Sequence, residues 1–232
     1  MKAALFEQLR ADRTAKRPVV LVTTVPSGEQ RLVYPNDAAP ADLSPTLAAA
    51  VQRAAASDEA TTIDEAGALV FVQPFNPPLR LIIVGAVHIA QPLARLAAVT
   101  GFAVVVVDPR AAFLTESRFA DVERASEWPD KVVAALRPDS RTAVVTLTHD
   151  PKLDDPALYE ALRSRAFYVG CLGGSKNHAT RLERLRERGL DDGQLARLHG
   201  PVGLRIHARS PAEIAVSIVA QMVEQLRKPR AT

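Results

Sequence analysis

Five histidines, one cysteine and two glycine turns carry most of the reactive chemistry this sequence offers. His88, His149, His178, His199 and His207 all lie beyond residue 79. The first three each follow an apolar run, at the position where open α/β sheets present ligand-binding side chains. One histidine in such a place is more often a hydrogen-bonded structural residue; three at one edge shift the balance toward a site. No His-x-x-x-His pair stands beside an acid, so no metal centre built from protein ligands alone is expected. Cys171 sits inside the apolar AFYVGCL run and reads as core filling. As the sole cysteine it excludes an intrachain disulfide and a cysteine-based zinc site, which suits a cytoplasmic protein. There is no nucleophile elbow and no Ser-His-Asp ordering.

The first glycine turn is VGAVHIA, residues 84–90. A dinucleotide turn wants Gly-x-Gly-x-x-Gly or Ala; the three places hold Gly85, Val87 and Ala90. The middle glycine, which lets backbone approach a pyrophosphate, is a valine. Open amides and a helix dipole still suit a single phosphate here. Asp108 follows 23 positions after Gly85, the spacing of an acid that grips a ribose diol. A turn aspartate in Asp-Pro-Arg is the equal alternative. The second turn, Gly173-Gly174-Ser175-Lys176, is an anion loop or a plain tight turn, and lacks P-loop spacing.

The elements that must position these residues are clear after Pro77-Pro78, which interrupt helix and strand alike. LRLIIVG and FAVVVVD are continuous apolar runs, as buried parallel strands should be, with a helix over about 88–99 between them. A helix from Pro129 to Leu136, the strand TAVVTLTHD, the helix DDPALYEALRS, the strand AFYVGCLGG and a helix over about 176–188 follow. Ser210-Pro-Ala-Glu213 is a capping box, and Ile214, Ile218, Met222 and Leu226 form a helical stripe. This predicts a doubly wound α/β domain over 79–232 with a parallel sheet. Residues 1–76 predict a small α+β domain: strands in PVVLVTTV and QRLVY, a helix in LSPTLAAAVQRAAA, and a hairpin around Glu65-Ala66-Gly67.

Composition narrows the classes. The chain has 232 residues, 47% hydrophobic, with no apolar run long enough for a membrane span. Glu7 and Asp12 interrupt any signal-peptide core. A net charge of +3 and 5% aromatics argue against nucleic acid. The one dense basic stretch, RLERLRER from Arg181, interleaves glutamates and reads as the wet side of an amphipathic helix.

VGAVHIAQPLARLAAVTGFAVVVVDPR, ESRFAD, VVTLTHDPKLDDPALYEAL, AFYVGCLGGSKNHATRLERL and RLHGPVGLRIHARSPAEIAVSIVAQMV, in that order, resemble the C-terminal Rossmann domain of the XdhC/CoxI family. The resemblance runs from about 80 to 226 and implies an accessory protein. Members are maturation chaperones of molybdenum hydroxylases such as xanthine and carbon monoxide dehydrogenases. They bind the molybdenum cofactor (molybdopterin, with one phosphate or as a dinucleotide), cooperate with a cysteine desulfurase in sulfuration, and deliver the cofactor to the apo-enzyme. The implied cofactor-binding set is Gly85, Ala86, Val87 and His88; Asp108 and Arg110; Thr148, His149, Asp150 and Lys152; Gly173, Gly174, Ser175 and His178; and His199. His199 and Gly203 match a His-x-Pro-x-Gly stretch, and His207 stands where relatives carry glycine. Val87 departs from the family's Gly-Ala-Gly-His turn. The family's N-terminal Gly-Gly-Cys motif has no counterpart in the first 75 residues, which suggests a separate Cys-bearing partner chain. A homo-oligomer is expected. Two alternatives remain: an NAD-dependent oxidoreductase, which Asp108 favours and Val87 opposes, and an interaction module that binds no small molecule.

Overall fold

The computed structural model describes residues 2–38 and 40–228, in two compact units, Met1–Pro77 and Pro78–Thr232. The first contains α1 (Ala3–Thr14), β1 (Val19–Thr24), β2 (Glu29–Val33), α2 (Pro45–Ser57), β3 (Thr61–Glu65) and β4 (Ala68–Phe75). Its strands form an antiparallel sheet in the order β2-β1-β4-β3. Leu47, Ala50, Val51 and Ala54 of α2 close over Val20, Val22, Val70 and Val72. Ser44 caps α2, its hydroxyl accepting the Leu47 N–H at 3.1 Å, with Pro45 at the first turn. Helix α1 was not expected. Half of its twelve residues are polar, and it starts without a side-chain cap. Its anchor is Asp12, buried and accepting the Tyr34 hydroxyl at 2.9 Å.

The second unit contains β5 (Leu79–Val84), α3 (Ala90–Val99), β6 (Phe102–Val107), a 3-10 turn (Ala111–Phe113), β7 (Glu123–Ala125), α4 (Pro129–Leu136), β8 (Thr142–Thr146), α5 (Pro151–Arg163), β9 (Tyr168–Cys171), α6 (Ser175–Glu187), α7 (Asp192–Leu195), β10 (Leu198–His199) and α8 (Pro211–Arg227). The sheet is parallel, in the order β10-β9-β8-β5-β6-β7. Strand alternation sends Leu81 and Ile83 to one face, against Leu93 and Ala97 of α3 and Ile218 and Met222 of α8. Ile82 and Val84 go to the other, against Val133 of α4 and Leu158 and Leu162 of α5. Each such fully buried aliphatic side chain contributes about 2 kcal/mol relative to exposure. The structure is thus the α/β Rossmann-like sheet with a small α+β unit before it.

Two local readings are corrected. Helix α5 begins at Pro151, three residues before the expected start, because Asp150 caps it by accepting the Lys152 N–H at 2.9 Å. Pro156 lies inside the helix, where the carbonyl it leaves without an N–H donor belongs to exposed Lys152 in the first turn. The RLERLRER stretch is not uniformly wet. Arg181 is 4% exposed, and Arg184 bridges buried Asp155. Among the described residues no helix is long and apolar enough to cross a membrane.

Candidate functional site

The chain leaves β5 towards β6 and β7 on one side, then returns to build β8, β9 and β10 on the other. The connections after β5 and β8 therefore run to helices on opposite faces of the sheet, and the carboxyl ends of these two strands mark the place where such sheets form a ligand-binding crevice. The β5 loop starts at Gly85 with φ +105°. A Cβ there would stand 2.5 Å from Thr148 Cγ2 and 3.2 Å from the Thr148 nitrogen, so glycine permits the two loops to touch.

The turn is less open than its pattern suggests. The Ala86 N–H donates to Asp108 Oδ2 at 2.8 Å. The Val87 and His88 amides donate to no protein acceptor among the described residues, and His88 is exposed. Asp108 has no exposed surface. Besides Ala86, it accepts the Arg110 backbone N–H at 3.0 Å and the Arg110 guanidinium at 2.8 Å on each oxygen. Burial pushes this carboxyl up, but the Arg110 and Ala86 donors outweigh it and hold the group below its usual range. A ribose-gripping role, and the preference for NAD read from it, would require Asp108 to release Arg110. The cation is what faces outward: Arg110 is 47% exposed and also feels the charge of Asp150.

The β8 loop is built around a buried acid that sequence reasoning missed. Asp154 accepts the Thr148 hydroxyl at 2.6 Å, the Thr148 N–H at 3.3 Å and the His149 N–H at 3.0 Å. These bonds hold His149 at φ +63°, a left-handed conformation few non-glycine residues adopt, with its side chain exposed. Burial raises the Asp154 carboxyl despite the Thr148 donors and the Arg181 charge 3.7 Å away. Only the local Thr-His-Asp pattern was visible in sequence.

Arg181, also missed, ties this loop to the next. Its Nη1 donates to Cys171 Sγ at 3.0 Å and its Nη2 to the Leu172 carbonyl at 3.3 Å. Cys171 is core, as expected, yet it also lies 3.8 Å from His178 Nδ1. Burial pushes its thiol up to about 11 even with the guanidinium beside it. Burial and Arg181 both lower His178. The His178 ring packs on Gly200, where a Cβ would stand 2.1 Å from Nδ1. His199 stacks on Tyr168 at 4.7 Å, and burial lowers its pKa. Ser175, His199, Gly203 and His207 line a cavity of about 810 Å³ at the β9–β10 end, beside and not within the β5/β8 crevice. His207 adopts φ +60°, the conformation that glycine takes most readily.

The structure thus brings Gly85, Ala86, Asp108, Arg110, Thr148, His149 and Asp150 into one linked group. It places His178 and His199 in a second group around Gly200. Exposed Lys152, Gly174 and Ser175 sit at the starts of α5 and α6, with Gly173 just before them. Arg118 also belongs to the first group, its guanidinium donating to the Ala86 carbonyl at 2.8 Å. It lies in the ESRFAD segment that carries part of the family resemblance, but nothing there singled out the arginine.

Comparison with known proteins shows what the chain is similar to. The family model of the XdhC Rossmann domain matches residues 81–222. A Bacillus subtilis protein, named as one of the probable subunits of a xanthine dehydrogenase, is 33% identical over 160 residues, covering 68% of this chain and 46% of that protein. The Escherichia coli molybdenum cofactor insertion chaperone PaoD is 32% identical over 148 residues, covering 64% of this chain and 40% of its own. The crystal structure of a Bacillus halodurans protein named a xanthine dehydrogenase superposes with a TM-score of 0.71 at 26% identity, covering 97% of this chain and 64% of that one. The chain therefore spans less than half the length of these two curated relatives.

Proposed function

The chain belongs to the XdhC family, and from that membership we propose that it binds the molybdenum cofactor as cargo and serves the maturation of a molybdenum hydroxylase. The observation that carries this reading is the β5/β8 crevice, which offers the unengaged Val87 and His88 amides beside exposed His88 and His149. Two amides at the start of α3 suit one phosphate. The cargo brings its own sulfur ligands to molybdenum, so the chain has only to grip phosphate and pterin and keep solvent away. Among the described residues no three His, Cys, Asp or Glu side chains converge as a metal cage, and the donor set fits such a cargo. In this reading His149 and His178 face the pterin, Lys152, Ser175 and the 173–174 loop add a second anion contact, and His199 lines the adjoining β9–β10 cavity. NAD is not needed by any part of it.

The partners follow as part of the proposal: an apo molybdenum hydroxylase, a cysteine desulfurase, a second copy of the chain, and a separate Cys-bearing protein, all in the cytoplasm. Dialysis of the protein against released molybdenum cofactor without oxygen, with bound pterin read by fluorescence after oxidation, tests the cargo. Retention is expected, with His149→Ala weakening it about tenfold, the scale of one lost hydrogen bond to a charged group. No retention by folded protein would end the reading, and unchanged affinity in His149→Ala would remove that residue from the site.

A further inference from the structure

The carboxyl end of β6 carries an arrangement that specifies more about a ligand than the cargo reading does. Two guanidiniums flank a single residue, Ala86, one on its N–H side and one on its carbonyl side. Arg110 reaches the Ala86 N–H through Asp108, which bonds both. Arg118 donates directly to the Ala86 carbonyl at 2.8 Å and to the Phe113 carbonyl at 2.8 Å. Both cations lie against the same aromatic ring: the Arg110 guanidinium carbon is 4.7 Å and that of Arg118 5.8 Å from the Phe113 centroid. That ring is 43% exposed. Held by the Asp108 fork and the ring, Arg110 loses little further freedom on meeting a ligand, while its outer edge stays open.

In a sheet of this kind the second strand's end meets the ribose of a nucleotide, and a free acid there accepts a diol. Here the acid is spent and a fixed guanidinium stands in front of it. We propose that this corner, bounded by Arg110, Arg118 and the Val87 and His88 amides, is a clamp for a terminal phosphate monoester and rejects an unphosphorylated ribose diol. A monoester carries close to two charges at neutral pH and exposes three oxygens, which suits a guanidinium fork and adjacent amides. A bridging diester carries one charge, and its second substituent would compete for the space that Val87 fills. The clamp rests on the crevice being the binding site, as in the cargo reading, but it specifies the ligand's end group. That group could belong to the one-phosphate pterin or to a nucleotide bearing a 2′-phosphate.

NAD and NADP differ only in that phosphate, so calorimetric titration with the two is a direct test, alongside inorganic phosphate and released one-phosphate molybdenum cofactor. NADP is expected to bind at least about tenfold more tightly than NAD, and inorganic phosphate to displace it. Arg110→Ser should abolish the preference and, by freeing Asp108, strengthen NAD. Arg110→Lys, which keeps the charge but not the fork, should fall between, and gives a second reading if the serine variant does not fold. Equal binding of NAD and NADP, or a preference untouched by either variant, would overturn the clamp. Cofactor retention that ignores both phosphate and Arg110 would overturn the clamp and leave the cargo reading standing. Arg110-dependent phosphate and NADP binding without cofactor retention would support the clamp and remove the cargo reading. Failure of every ligand would remove both.

Discussion

Arg181 holds a full charge at a depth where charges are costly. It meets that cost with Cys171 Sγ, the Leu172 carbonyl and two carboxylates at 3.7 Å, and its Nε has no hydrogen-bond partner among the described residues. The group it touches most closely, the Cys171 thiol, is fully buried with its pKa pushed up to about 11. The thiolate is the reactive form, so neither access nor ionisation favours attack. Labelling of Cys171 by a disulfide reagent at pH 8 should therefore proceed only as fast as the protein opens. A rate that denaturant does not change below the unfolding transition would instead indicate a working thiol. This cluster was invisible in sequence because a basic run interleaved with glutamate has the signature of a solvated face. The burial of one arginine within it depends on acids from α5, which pattern alone does not place.

Contact between the β5 and β8 loops depends on Gly85 and Thr148. An alanine at 85 would meet both a left-handed backbone angle and the Thr148 methyl. Gly85→Ala should cost about 2 kcal/mol, seen as a fall of roughly 4–8 °C in Tm. Thr148→Ser removes the methyl and keeps the hydroxyl that Asp154 holds, so the double variant should regain part of the loss. Strict additivity in that cycle would mean the two loops do not press on each other. At this scale the sequence was largely readable. Continuous apolar runs marked β5, β6 and β8, and the Ser210–Glu213 box marked α8, because burial on both faces and capping each leave a local signature. Helix α1, with mixed apolar and polar residues and no cap, and the two- and three-residue strands β10 and β7 leave none. The strand-end histidines were legible as positions, but the saturation of Asp108 by Arg110 was not, since Asp-Pro-Arg reads equally as a ribose site or a turn.

Across the whole molecule the titration of buried groups links stability to pH. Burial lowers both His178 and His199, so each is neutral in the fold at a pH where the unfolded chain begins to protonate. Their contribution is complete above the unfolded value near 6.5 and is lost as pH falls below it towards the folded values. Asp154, raised by burial, acts in the opposite sense on acidification. The histidine part is therefore read from a difference. Between about pH 7 and 5 the wild type should lose more Tm than a His178→Gln, His199→Gln variant. Parallel curves would show that these rings do not sense the fold.

The six-stranded sheet ends on β7, three residues long, and on β10, two residues long. A strand margin is a row of unpaired amides and carbonyls that can recruit another chain into a fibre, and brevity is one of the means by which natural sheets deny it a template. The apolar strands β5, β6 and β8, whose β-branched composition suits amyloid-like stacking, are shut into the middle. Resistance to aggregation is thereby built into strand order, and what threatens it is the unfolding of the unit rather than the crowding of its folded surface.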